Sequence, residues 1–453
     1  MSSQPPLFGP CPPRFTEIKK DIANSYPDFQ ERITQAWNDL LDELNRTTKE
    51  IANQGSQAVP EVEFNELGKL SEKEIDTIQR KGCVVIRNVV DDDEASGWRK
   101  DLKEYVSSNP VEGSPPDDKQ FFQLYWTKSQ LQARSHPNVL QTQVWLNSMY
   151  HSRGDAKTDG VDLSVPLSYA DRFRMRHPGN QWTVHPPHVD GGSIERWEDK
   201  VFRTCFADIL SGNWRQHDPY DLDGRINARS SMYGRPNQST IFRTYQGWLA
   251  FSETAPTEGT LKVFPNVILS NAYTIMRPFF RPKVAQDDPN LLIPENWEFG
   301  KSRPNHVAGL PEDGLLSDIS HHDFPGIYSL GEGFIGPRPT TESHPHLRLD
   351  ETMVSVPKVY PGDMVYWHCD LIHAVEVEHT GKEDSCVMYI PAVPYTSQNA
   401  AYVERQKDSF LKGVPPPDFP AWKGEHGFTG VGTTEDITSP IGKKAMGLAV
   451  EVA

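Results

Sequence analysis

The stretch HPPHVDGGSIERWED, His185–Asp199, holds His188 and Asp190 with a single residue between them, flanked by paired prolines and paired glycines. Residues two positions apart on a β-strand project from the same face, so an H-x-D on an inward-facing strand aims an imidazole and a carboxylate at one point. The bland alternative is a hydrogen-bonded turn. Under the strand reading two metal ligands are in place at once, and a closed or nearly closed β-barrel can bring a third from a distant strand. Two histidines and one carboxylate on one face of an octahedron bind Fe(II) and leave three positions open, which suits an oxygenase better than copper redox chemistry or structural zinc.

H-x-D is short, and this chain holds it three times. His321 and Asp323, in SHHDFPG, fall in a Pro- and Gly-rich polar stretch and read as plain loop. His368 and Asp370, in YPGDMVYWHCDLIHAVEV, follow a Pro-Gly-Asp turn and a strand and read as structural residues of the bend that ends it; the final His373 stands ten residues after Asp363.

Outward from these motifs, the pattern predicts a mainly β core with helical additions at its amino end, an α+β arrangement. Ile33, Trp37, Leu40, Leu41 and Leu44 recur at three- and four-residue spacing, the mark of an amphipathic helix. SEKEIDTIQRKG carries a capping box, Ser71 with Glu74, and Gly82 ends the run. CVVIRNVV reads as a strand and DDDEASGWRKDLKEYVSSNP as a helix. RFRMRHPG alternates basic and apolar residues as a half-buried strand does, and FRTYQGWLAFSE, GTLKVFPNVIL, TMVSVPKVYPGDMVYWH and DSCVMYIPAVP are further strand-like runs. The expected division is a helical extension over 1–70 packed on the core, a main domain over 71–410 with insertions at about 211–239 and 281–350, and a tail over 411–453. The insertions are suited to covering a site.

Bulk properties narrow the function. With 453 residues, 36% hydrophobic and 24% charged, the chain is long enough for a large core, and no run approaches the apolar length of a membrane helix. A formal charge of −16 argues against a nucleic-acid backbone as partner. The start MSSQPPLFGPCPPRF has neither the basic residues nor the apolar block of a signal peptide, and five scattered cysteines without a CxxC pair fit a reducing, cytoplasmic setting. No G-x-S-x-G elbow suggests a hydrolase. The expected partner is a small-molecule substrate rather than nucleic acid or membrane.

The order H-x-D, then W-x-A (Trp248–Ala250) with G-T-L-x-V-x-P, then P-G-D-x(9)-H resembles the phytanoyl-CoA dioxygenase-like Fe(II)/2-oxoglutarate oxygenases. It is most similar to their branch of bacterial and fungal proteins long catalogued as a domain of unknown function, which carries HVDGGSxERWED and SVMYIPA-like segments. The likeness runs from about Ser71 to about Gln406. It implies a double-stranded β-helix, the jelly roll of cupin-like proteins, with His188, Asp190 and His373 as iron ligands and catalytic centre, and with 2-oxoglutarate and dioxygen as co-substrates. Some fungal members oxidise amino acids and can close an aziridine ring, so valine or a similar residue is a conceivable substrate. Trp248 matches the position that contacts the co-substrate in relatives.

One departure concerns the far carboxylate of 2-oxoglutarate, for which the planar fork of an arginine is well suited. Relatives carry this arginine about ten residues after the distal histidine, whereas HTGKEDSCVMYIP offers only Lys382. Arg243 and Arg405 are the replacements expected here, with Lys262 and the arginines of RFRMR as further candidates. Without such an anchor, two other readings stand: a cupin-like metal enzyme that does not use 2-oxoglutarate, or a jelly-roll binding protein without catalysis.

Overall fold

RFRMR does form a strand, Phe173–Arg176, and its alternation divides the molecule: Phe173 and Met175 enter one apolar cluster, while Arg174 turns to the other side, into a cavity. In the computed structural model, which describes residues 12–154, 160–234, 237–300, 324–331, 333–420 and 423–449, this strand belongs to a sheet of eight. The order is Glu61–Glu63, Cys83–Arg87, Met364–His368, Tyr245–Ala250, Ser385–Tyr389, Phe173–Arg176, Phe121–Phe122, Gly113–Ser114, antiparallel except for the first pair. A register that pairs Val365 with both Val85 and Trp248 sends every second side chain of neighbouring strands to the same face. Val84, Ile86, Leu249, Met364, Tyr366 and Met388 cover one face and pack with Trp98, Leu102 and Leu146 of the helices Asp92–Ser108 and Pro137–Asn147.

The opposite face, with Val85, Trp248, Ala250, Val365 and Val387, shares a second cluster with Leu261 and Val263 of a smaller sheet, ordered Val354–Ser355, Leu261–Val263, His373–Val375. That cluster continues to Ile33, Trp37, Leu40, Leu41 and Leu44, all buried on the helix Phe29–Gln54, where Trp37 stacks on Phe280 with centroids 4.3 Å apart. The expected apolar stripe is therefore the seam by which the amino-terminal helix joins the core.

The fold is mixed α/β with several sheets, and among the described residues none closes into a barrel, so it is less purely β than the sequence suggests. Part of the difference lies in GTLKVFPNVIL. Its first half is the strand Leu261–Val263, but Asn266 then accepts a hydrogen bond from the Leu269 amide and starts the helix Val267–Met276. The apolar residues there hide the change of period, and the cap after Pro265 is the signal that marks it. His321 and Asp323 lie outside the described residues.

The helix Glu72–Lys81 begins with the expected reciprocal cap, the Ser71 amide donating to Glu74 Oε2 at 2.8 Å, and ends at left-handed Gly82. Replacing Ser71 with alanine is expected to cost about 1 kcal/mol, read as a lower urea midpoint at unchanged slope.

Candidate metal centre

His188 does not sit on a regular strand. The segment 181–188 runs along the free edge of His373–Val375 through single bridges, Gln181 opposite Glu378 and His188 opposite His373. The Trp182 amide donates to the Val377 carbonyl at 2.7 Å and the Val375 amide to the His185 carbonyl at 3.1 Å. His188 and His373 exchange both backbone hydrogen bonds, at 2.9 and 3.0 Å, so they are a directly opposed antiparallel pair with side chains on one face. Their ring centroids are 4.2 Å apart.

Asp190 completes the group. Its Oδ1 lies 3.7 Å from His188 Nε2 and its Oδ2 lies 3.5 Å from His373 Nε2. The Nδ1–H of His188 donates to the Pro186 carbonyl at 2.6 Å, and that of His373 to the Leu371 carbonyl at 3.0 Å. Each Nδ1 faces an atom that can only accept, which leaves both Nε2 atoms directed at the carboxylate. Burial, and then the neighbouring His373, push the His188 imidazole down to about 4. Burial works to raise Asp190, but His188 and His373 outweigh it and hold the carboxyl well below its usual range. A neutral imidazole facing an ionised carboxylate is the protonation state a divalent metal requires.

The chain leaves Asp190 through Gly191 and Gly192, at φ 72° and 110°. A side chain on Gly192 would also meet the Phe202 ring at 2.8 Å. These glycines serve the turn and the close packing behind it.

The ERWED segment packs inside the fold, with Glu195, Arg196, Trp197 and Asp199 buried. Arg196 is buried; its Nη1 pairs with Asp370 Oδ1 at 2.7 Å and its Nη2 donates to the Asp190 carbonyl at 2.7 Å. Arg225 pairs with the other oxygen of Asp370 at 2.7 Å. His368, Cys369 and Asp370 form a second metal-like group, but Asp370 is committed to two guanidiniums and His368 Nε2 donates to the Pro219 carbonyl at 3.1 Å. The bend reading of this H-x-D holds, and the pattern of single residues gave no hint that the bend is tied to the backbone of Asp190.

A cavity of about 600 Å³ opens beside the three side chains and lies between the two sheets. Trp248 and Arg243 line it. Arg405 does not: it lies on the helix Ser397–Lys412, over the Tyr402 ring and bonded to its own helix at the Ala401 carbonyl. Lys382 is exposed, and neither it nor Lys262 reaches the cavity. His177 pairs with Asp384 and His379 with the Glu383 carbonyl, both outside the lining, whereas His185 lines the cavity and accepts from Trp182 Nε1 at 2.9 Å.

Arg174 is the cation that stands out. It is 3% exposed, its Nη2 donates to the Gly259 carbonyl at 3.1 Å, and its Nε and Nη1 are buried with no partner among the described residues. Arg176, by contrast, commits both Nη1 and Nη2 to the carbonyls of Gly259, Glu376, Asn180 and Val377, and only its Nε lacks a partner among the described residues. Gln246 Nε2 and Trp367 Nε1, also in the lining, are likewise buried and unpartnered among the described residues. Buried N–H groups left unpaired on a cavity wall are costly, and an anion's oxygens would satisfy them. Alternation in RFRMR had placed Arg174 among the candidates. Gln246 and Arg338, which also line the cavity, carried no signal; Arg338 sits in the featureless GEGFIGPRP.

A family model described as Gig2-like matches residues 9–448. The protein of GlcNAc Inducible Gene 2 from Candida albicans is 31% identical, and its crystal structure superposes with a TM-score of 0.82 over 97% of this chain and 90% of that one. "Uncharacterized protein YbiU" of Escherichia coli K12 is 28% identical over 435 residues, covering 92% of this chain and 93% of its own. A protein from Salmonella typhimurium LT2 named "Putative Oxidoreductase" is 25% identical, with a TM-score of 0.77 over 98% of this chain and all of that one. The family matched is thus Gig2-like, rather than the phytanoyl-CoA dioxygenase-like group that the motif order resembles.

Proposed function

The chain belongs to the Gig2-like family, and we propose that it is a non-haem Fe(II)/2-oxoglutarate-dependent oxygenase acting on a C–H bond of a small polar substrate. The observation that carries this reading is the convergence of His188, Asp190 and His373 beside a cavity whose buried Arg174 has two unpartnered nitrogens. The relative named as an oxidoreductase points the same way. Two sheets enclosing the site support a double-stranded β-helix ancestry for the core.

The donor set fits the metal: two imidazoles and one carboxylate on one side, the other side facing the cavity. His188, Asp190 and His373 would hold iron. Arg174 would bind the far carboxylate of 2-oxoglutarate, and Trp248 would lie along it. The strand Phe173–Arg176 pairs with Ser385–Tyr389, Arg174 opposite Val387. Arg174 would thus act from the strand beside the one where the phytanoyl-CoA dioxygenase-like enzymes carry their arginine. When bound, iron, 2-oxoglutarate and dioxygen supply the oxidant, with succinate and carbon dioxide as co-products and one oxygen atom available to hydroxylate the substrate. The chain's own residues hold the ligands, orient the co-substrate and shelter the substrate from water. The free thiols of Cys83, Cys205, Cys369 and Cys386 accord with the reducing, cytoplasmic setting that ferrous iron needs. Among the described residues no helix is long and apolar enough to cross a membrane.

Anaerobic addition of Fe(II) and 2-oxoglutarate tests the reading. A visible charge-transfer band is expected, and Arg174→Gln should raise the 2-oxoglutarate concentration needed by about tenfold or more, because charge-assisted bonds to a carboxylate are lost. Iron binding without the band would favour a metal enzyme that does not use 2-oxoglutarate; no iron binding would favour a binding protein.

A further inference from the structure

We infer that Arg243 and Arg338 form a second acid-binding subsite in the wall of the same cavity, and that the substrate is a net anion rather than a neutral or zwitterionic molecule. The inference rests on the oxygenase reading above for the charge count and on geometry for the residues. Ferrous iron with Asp190, and doubly charged 2-oxoglutarate with Arg174, together come to neutrality. Of the other charged residues that line the cavity, Arg172 is paired with Asp171 at 3.0 Å. Arg243 and Arg338 are left over. Neither forms an ion pair among the described residues; both line the cavity, and Arg243 lies over the Tyr169 ring, 5.9 Å from its centroid.

Arg338 is held there deliberately by its backbone. Its amide donates to the Gly326 carbonyl at 2.8 Å, while the preceding Pro337 carbonyl accepts from the Val189 amide at 2.9 Å, one residue before Asp190. The loop leaves no room for a side chain on Gly336, where a Cβ would stand 2.2 Å from the Gly326 oxygen, and Gly336 takes φ 123°. A surface arginine would not need its main chain fixed to the metal-binding segment. Arg243 enters from another element, just ahead of the strand Tyr245–Ala250. Two guanidiniums from separate elements, both lining one cavity, offer a receptor for a carboxylate or phosphate oxygen set. A zwitterionic amino acid would bring no net charge to offset them. An acid carrying an extra carboxylate, or a phosphate ester, would.

The test is calorimetric titration of the full chain, stripped of metal, with glutarate, inorganic phosphate and L-valine. Arg174→Gln serves to silence the deeper anion site, and Arg243→Gln/Arg338→Gln to silence the proposed one. The Arg174→Gln protein is expected to keep binding glutarate or phosphate, and adding the double substitution to it should weaken that binding by about tenfold or more. Preference for phosphate assigns a phosphate ester, and preference for glutarate a carboxylic acid. Anion binding that survives the double substitution unchanged, or L-valine binding as tightly as the anions, would overturn the subsite. The anaerobic Fe(II)/2-oxoglutarate band is recorded in parallel. It should persist in Arg243→Gln/Arg338→Gln; its absence from the unsubstituted protein with anion binding intact would remove the oxygenase reading and leave the subsite standing.

Discussion

Asp190→Asn and His373→Ala are each expected to lower substrate oxidation by on the order of a thousandfold or more, since a catalytic metal is worth several kcal/mol of barrier and every tenfold corresponds to about 1.4 kcal/mol. The two substitutions act differently. Asparagine keeps the shape of the aspartate but removes the only carboxylate in the group, so it tests charge; alanine removes an Nε2 donor. Neither should unfold the protein. The bridge between His188 and His373 is made by backbone atoms, and the Asp190 side chain lines the cavity rather than the packed core. Far-ultraviolet circular dichroism should therefore be unchanged while bound iron per chain falls. Full activity in either variant would remove these residues from the centre.

Asp370→Asn should have the largest effect on stability. Arg196, Arg225 and Asp370 have side chains only 2–3% exposed. Burial works against the ionised Asp370 carboxyl, and the two guanidiniums overcome it and hold the group well below the usual carboxylate range. Removing the anion leaves two buried cations without a counter-charge, which costs about 3–5 kcal/mol. Urea unfolding of metal-free protein measures this. Because Arg196 also grips the Asp190 carbonyl, iron affinity of the folded variant should fall as well, a change that a purely remote packing defect would not produce. A stability within about 0.5 kcal/mol of the unsubstituted protein would mean that the pair is not holding the bend.

Periodic features of the sequence translated directly into structure. The stripe from Ile33 to Leu44 is buried on one helix, and alternation in RFRMR separates Phe173 and Met175 from Arg174. Such patterns are legible because a helix or strand repeats its own geometry. His188, Asp190 and His373 were legible for a different reason, a local spacing together with a motif order spread over the chain. The Arg196–Asp370–Arg225 network was not. Its members lie far apart in sequence, and although Asp370 reads as a structural residue of its bend, nothing local pairs it with Arg196 or Arg225. Arg405 shows the converse: its place after the last core strand made it a candidate, but the helix Ser397–Lys412 carries it away from the cavity. The helical period of Val267–Met276 was masked because nearly all of its residues are buried, so no polar face marks the turn of the helix.

The most direct measurement is anomalous diffraction at the iron edge from crystals grown or soaked anaerobically with Fe(II). The account predicts one strong peak within bonding distance of His188 Nε2, His373 Nε2 and the Asp190 carboxylate. A peak at His368, Cys369 and Asp370 instead, or none at the His188 group in crystals shown to take up iron elsewhere, would contradict it.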